Sequence, residues 1–207
     1  MLMKKIFASA ALACAALLAF SAAGCQAAAA KKDVITESTG EDTAGAFIFD
    51  GFKLSPLTLH SGQLSFAPPV TEGNYFAVFF VQNGYEPSVK LLKAGKDNIK
   101  MDRPDNAKQL DAGAGFIAGV VYRSVRGGKL SYRKGISDLI KGSWISFTDS
   151  SGKTFGTESG PDGTYGISLH RGKYRMTIDG QREAGDLLLK EGATVIKNIG
   201  KGAALID

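Results

Sequence analysis

The sequence is poor in the residues that staple small domains or build reactive centres, with two cysteines, two histidines and one tryptophan in 207 residues. Both cysteines, Cys14 and Cys25, fall near the start. Everything after them must therefore hold together without an internal disulfide, even in a compartment that would permit one. His60 and His170 lie far apart and have no cysteine partner in that later region. Two imidazoles alone fall short of a closed structural zinc site, so both read as surface residues. No phosphate-cradling glycine loop, nucleophile elbow or His-Glu-x-x-His pattern occurs. Scattered Ser, His and Asp do not make a triad, which is a geometry rather than a composition. No catalytic residue, metal ligand or cofactor is assigned. Long apolar runs are also missing. Beyond the first 25 residues the longest is Tyr75 to Val81, which suits a buried strand and is far short of the roughly 20 residues a membrane-spanning helix needs.

What is present begins with an export signal. Lys4 and Lys5 precede an almost wholly apolar stretch from Ile6 to Phe20, followed by Ser21-Ala-Ala-Gly-Cys25. A positive start, a short apolar run and small residues before a cut form the layout of a secretory signal. The Ala22-Ala-Gly-Cys25 segment resembles a bacterial lipobox, although that family usually has Leu where this chain has Ala22. The resemblance implies that residues 1–24 are a cleavable signal peptide and that Cys25 is the lipidated first residue of the mature chain. Acyl chains would then tether it to a membrane, stably when several act together. Gln26 resembles the residue found after the cysteine in lipoproteins sent to the outer membrane. The alternative is ordinary cleavage near the alanines, with Cys25 a bystander. Cys14, preceded by Ala11-Leu-Ala13, would leave too short an apolar stretch.

The chain carries 25 basic and 20 acidic residues, a net charge of +5, which falls to +3 without Lys4 and Lys5. That is mildly basic and not the footprint of a dedicated nucleic-acid binder. Residues 25–44 are rich in Ala, Lys, Thr, Glu, Ser and Gly and read as a flexible tether. From Gly45 onward the pattern is one of short strands with almost no helical period. The first set comprises Ala46–Phe49, Leu57–Leu59, Gln63–Ala67, Tyr75–Gln82 and Val89–Lys93. Asn83-Gly84 is a hairpin signal after an aromatic run. The second set comprises Phe116–Tyr122, Trp144–Thr148, Thr154–Thr157, Thr164–Leu169, Tyr174–Ile178, Asp186–Leu189 and Thr194–Ile199. Tyr165, Ile167 and Leu169 share one face of their strand, as do Tyr174, Met176 and Ile178 of the next, with Arg171-Gly172 as the tight turn between. Lys93–Gly113 reads as a polar connection. The expectation is an all-β protein: a smaller N-terminal β unit over residues 45–112, then a β-sandwich over 113–207.

Within the second unit, three stretches follow one another: Ile145-Ser-Phe-Thr-Asp-Ser-Ser-Gly152, Gly160-Pro-Asp-Gly-Thr-Tyr-Gly-Ile-Ser-Leu169 and Arg171-Gly-Lys-Tyr-Arg-Met-Thr-Ile178. Together they resemble a carboxypeptidase regulatory-like domain, whose fold is a transthyretin-like or CnaB-like Greek-key sandwich. Gly119-Val-Val121 resembles that family's opening strand. The resemblance covers about Gly113 to Gly200, with Arg123–Lys141 as a long insertion. It implies a fold and no particular activity; such domains serve as spacers or accessory modules. Some CnaB-like domains carry a Lys–Asn cross-link assisted by an acid, but Arg123 stands where the Lys belongs, and Asn198 and Glu158 match the other roles only loosely.

The most suggestive candidate site is Tyr122 to Lys134, in which Tyr122, Arg123, Arg126, Lys129, Tyr132, Arg133 and Lys134 bring five basic residues and two tyrosines together without an acid. Such a loop suits an anionic partner, a glycan or an acidic protein surface; a merely solvated loop is the plainer reading. Trp144 follows it, either as a sugar-stacking platform or as core packing. Asp149, Glu158 and Asp162 are spread over two turns and read as turn formers before calcium ligands, which would need more oxygens. The expected function is a non-enzymatic, lipid-anchored envelope protein serving as a structural or interaction module for another envelope or extracellular protein. A carbohydrate-binding module and an unrecognised hydrolase are the alternatives. The partners expected are the membrane, through the lipid, and an envelope protein or anionic glycan, with no nucleic acid.

Overall fold

A computed structural model of the chain describes residues 35–38, 45–105, 107–127, 135–180 and 182–206, with side chains placed for 45–105, 107–125, 135–180 and 185–202. All of these lie in one compact unit, Lys31–Asp207. In chain order the strands are β1 (Ile35–Ser38), β2 (Gly45–Phe49), β3 (Leu54–Leu57), β4 (Gln63–Phe66), β5 (Tyr75–Val81), β6 (Ser88–Lys93), β7 (Ile99–Asp102) and β8 (Ala114–Gly127). They continue as β9 (Ile136–Leu139), β10 (Trp144–Asp149), β11 (Thr154–Glu158), β12 (Thr164–His170), β13 (Gly172–Ile178), β14 (Arg182–Leu189) and β15 (Thr194–Ile206). The protein is all-β, as the turn-punctuated sequence implies. Among the described residues no helix is long and apolar enough to cross a membrane.

Three sheets form. The largest runs β1-β15-β8-β9-β5-β2-β3, with β12 also paired to β8 and β6 to β5. A four-stranded sheet runs β11-β10-β13-β14, and β4 pairs with β7. Strand β15 is parallel to β8; the other pairings are antiparallel.

Successive side chains of a strand point to opposite faces, and β8 uses this to serve two cores. Ile117 and Val121 join Tyr165, Leu169, Val195 and Ile199 against Ile145, Phe147, Tyr174, Met176, Ile178, Leu187 and Leu189 of the four-stranded sheet. Two sheets packed face to face in this way make a β-sandwich. On its other face β8 sends Ala118, Val120 and Tyr122 into a second core with Phe49, Ala77, Phe79, Val81 and Ile136. These residues also belong to the large sheet, so that sheet folds back on itself, with β9 joining its halves through Tyr122↔Leu139 and Tyr75↔Ile136. Residues 45–112 and 113–207 thus contribute strands to one sheet. A third core sets Ala46, Ile48, Phe76, Val78 and Phe80 against Leu64, with Ile99 and Met101 of the β4–β7 pair packed on it. Strand β5 is therefore covered on both faces, which is why Tyr75–Val81 is continuously apolar rather than alternating.

Most predicted strands form within two residues of their expected ends, and Asn83-Gly84 lies in the loop joining antiparallel β5 and β6. Five local features differ. The strand expected at Leu57–Leu59 lies instead at Leu54–Leu57; it includes Pro56, which an edge strand tolerates because its missing N–H faces away from the ladder. Lys93–Gly113 contains β7, and Arg123–Lys141 contains the end of β8 together with β9. Within the supposed tether, Ile35–Ser38 pairs with Ile196–Ile199 along β15. The turn at Arg171 does not close a hairpin, since β12 pairs with β8 while β13 pairs with β10; it carries the chain from one sheet to the other.

One contact ties the sandwich together across three strands. Tyr165 lies opposite Gly119, and its phenol donates to the Lys197 carbonyl oxygen at 2.5 Å. A Cβ on Gly119 would lie 1.8 Å from that oxygen, so only glycine leaves room for this crossing. Beside it the Asn198 side-chain oxygen accepts from the Val120 N–H at 3.1 Å. A side chain here enters the ladder in place of a backbone carbonyl.

Candidate functional site on the outer face of the four-stranded sheet

Strand β10 buries Ile145 and Phe147 completely, and the two-residue period turns Trp144, Ser146 and Thr148 the other way. Register places Glu158, Gly156 and Thr154 beside them on β11, and Thr177 and Arg175 on β13. Lys173, Leu188 and Asp186 continue the same face across β13 and β14. Exposed large hydrophobics among the described residues are Phe52, Trp144 and Leu188, and two of these three belong to this face. An open cleft of about 640 Å³ lies at its far end, lined by Thr148, Asp149, Lys173, Arg175, Asp186 and Leu188.

Trp144 is 50 % exposed, and its indole is laid over Gly156. A Cβ on that glycine would meet three ring atoms at 2.3 to 3.0 Å. The six-membered ring therefore sits against bare backbone, and half of the residue is open to solvent. Its backbone is clamped: the Trp144 N–H donates to Asp179 Oδ1 at 3.0 Å, and the Asp179 N–H donates to the Trp144 carbonyl at 2.8 Å. Asp179 holds a left-handed φ of 49°, an uncommon conformation for a residue other than glycine. Lys201 braces it, pairing with Asp179 Oδ2 and donating to Ser143 Oγ at 2.7 Å. Ser143 is 2 % exposed; its carbonyl accepts from the Ser159 N–H at 2.9 Å, and its own N–H donates to the Ser159 hydroxyl at 3.0 Å.

A serine hydroxyl beside a lysine ammonium suggests a nucleophile and its base. Here the Lys201 charge is also committed to the Asp179 carboxylate, and Ser143 is sealed from solvent. The cluster acts as a brace under Trp144. Along the rest of the face hydroxyls pair with one another, Ser146 with Thr177 at 2.8 Å and Thr148 with Thr154 at 2.9 Å. Charges alternate in sign: Lys173, Arg175 and Lys201 stand among Glu158, Asp179 and Asp186.

The residues singled out by sequence are distributed differently. Tyr122, grouped there with the basic loop, is 1 % exposed and packs edge-on against Phe49 at 5.1 Å. It is in phase with Ala118 and Val120, so it belongs to the core and offers no surface to a ligand. Arg123 is exposed and lies 3.9 Å from Asp138 across the β8–β9 pair. The Arg126 side chain, Lys129, Tyr132, Arg133, Lys134 and Cys25 lie outside the described residues. Trp144 is on the surface and not in the core. His60 and His170 are exposed. Asp149 shapes the β10–β11 turn, accepting from the Ser151 hydroxyl and the Ser151 and Lys153 N–H groups. The Ser151 hydroxyl above all holds its carboxyl below the usual carboxylate range. Asp162 does the same work at its own turn, accepting from Thr164. Asn198 is wholly buried and accepts from the Val120 N–H, while Arg123 and Glu158 are exposed.

Sequence reasoning missed Asp179, Ser143 and Lys201, which carry no motif. The outward phase of Trp144 relative to Ile145 and Phe147 was the one available signal. No family model, no curated protein and no solved structure matches the chain.

Proposed function

We propose that this chain is a non-enzymatic interaction module of the bacterial cell envelope, lipid-anchored at Cys25 and docking an envelope or extracellular macromolecule through the outer face of its four-stranded sheet. The observation that carries this is the asymmetry of covering. Strands β5 and β8 are packed on both sides, whereas among the described residues the four-stranded sheet packs on one side and leaves Trp144 and Leu188 about half exposed on the other. Trp144 and Leu188 stand at opposite ends of this face, with polar and charged side chains between them. The lipobox-like Ala22–Cys25 supports the address. The resemblance of Ile145–Ile178 to carboxypeptidase regulatory-like domains supports an accessory, transthyretin-like module. Crosslinking the tagged full chain in cells, then identifying what co-purifies, tests the reading. A dominant macromolecular partner, lost on Arg175→Glu with Leu188→Lys, supports it. A partner retained undiminished by that double variant places docking elsewhere.

A further inference from the structure

We propose that Trp144, seated on Gly156, is the stacking platform of a binding site for a neutral polysaccharide. The proposal rests on the docking reading above and names the occupant of that face.

The first argument is the ring's posture. An indole seated against glycine backbone and half open to solvent leaves part of its π-surface, with its negative quadrupole, accessible. The face of a pyranose carries a patch of weakly positive C–H groups and no charge, and it matches that surface in size and polarity. A protein hot spot is more often an aromatic side chain filling a desolvated pocket, and Trp144 lies on the sheet rather than in a hole.

The second argument is the row that follows the ring. From Trp144 to Thr148 the strand advances about 13 Å, enough for more than one sugar unit. Along it lie the exposed hydroxyl pair Thr148–Thr154 and the pair Ser146–Thr177, of which Ser146 is 7 % exposed. Hydroxyls both donate and accept, which is the chemistry that sugar hydroxyls require of a partner.

The third argument is charge. Among the described side chains, Lys173, Arg175 and Lys201 are matched by Glu158, Asp179 and Asp186. A face with balanced charge gives a polyanion no net attraction, so the occupant assigned is uncharged.

The support beneath the ring is built for position. Lys201 fixes Asp179, and Asp179 fixes the Trp144 backbone. Lys201 is thus a positioning residue for the platform.

Trp144 is the sole tryptophan, so the selectively excited tryptophan emission of the full chain reports on this site alone. The detergent-solubilised full chain would be titrated with cellohexaose, maltohexaose and xylohexaose, with oligogalacturonate as the anionic counterpart. Calorimetry follows the variants that lack the indole. The expected result is a saturable emission change with at least one neutral probe. Trp144→Ala should weaken that binding about tenfold or more, equivalent to roughly 1.4 kcal/mol, and Trp144→Tyr should retain most of it. Gly156→Ala keeps the tryptophan but puts a methyl where the ring lies, so it should weaken binding and shift the emission while unfolding curves stay close to wild type. Lys201→Ala should shift the emission and weaken binding in the same direction.

Failure of all three neutral probes overturns the assignment, as does unchanged affinity in Trp144→Ala or binding confined to the anionic probe. If the probes fail while crosslinking still captures a protein through this face, the glycan assignment falls and the docking reading stands. If both fail, both fall.

Discussion

Replacing Tyr165 by Phe tests the sandwich at the point where three strands are tied. The phenol is buried and donates to the Lys197 carbonyl at 2.5 Å. Deleting it removes a donor from a buried acceptor, which costs about 1–3 kcal/mol at neutral pH. Burial also pushes the Tyr165 phenol well above the ordinary tyrosine range. In the unfolded chain it would ionise near pH 10, so above that pH the unfolded state has lost a proton that the folded state keeps. Wild-type stability from this group is therefore complete below about pH 10 and falls by about 1.4 kcal/mol per unit above it. Tyr165→Phe has no such slope. Urea unfolding of both proteins, followed by far-UV circular dichroism at about pH 8 and about pH 11.5, reads the difference, since the other titrating groups are common to both. The stability gap should shrink by about 2 kcal/mol at the higher pH. A gap unchanged by pH would show that the phenol ionises equally in both states and is not sealed in the core.

Two further outcomes follow from single residues. Cys25→Ala should abolish incorporation of labelled palmitate and move the chain from the membrane to the soluble fraction on fractionation; continued membrane labelling would refute lipidation at that residue. Asp149 has a depressed carboxyl, so its stabilising share is present above the unfolded value of about pH 3.9 and lost as pH falls through the folded one. Asp149→Asn should therefore lose less stability than wild type between about pH 4 and pH 2 in acid unfolding curves.

The parts of the fold visible in the sequence are those where side chains alone decide the outcome. Alternation at Tyr165–Leu169 and Tyr174–Ile178 marks inward faces, and the buried residues obey it. The unbroken Tyr75–Val81 run marks a strand covered on both sides. Strands that exist chiefly through their partners were hidden. Ile35–Ser38 is drawn to the edge of β15 by backbone pairing, and backbone hydrogen bonding leaves no compositional trace. Ile99–Asp102 is too short for a period to show. Ile136–Leu139 was masked by the charged stretch before it.

The candidate site was half legible. Trp144 was weighed as a surface platform or a core residue, and its phase settles it: Ile145 and Phe147 point inward, so residue 144 cannot. The same argument sends Tyr122 inward with Ala118 and Val120. The brace beneath Trp144 was out of reach because Ser143, Asp179 and Lys201 meet only after the chain has crossed between sheets, through a bend held by a left-handed aspartate.

The docking claim is tested most directly by position. A photo-crosslinking residue placed at Arg175, on the outer face of the four-stranded sheet, is compared in cells with one at Lys90 on β6; both positions are exposed. The predicted result is a discrete adduct from Arg175 and none from Lys90. Adducts from Lys90 alone, or the same adducts from both positions, would contradict it.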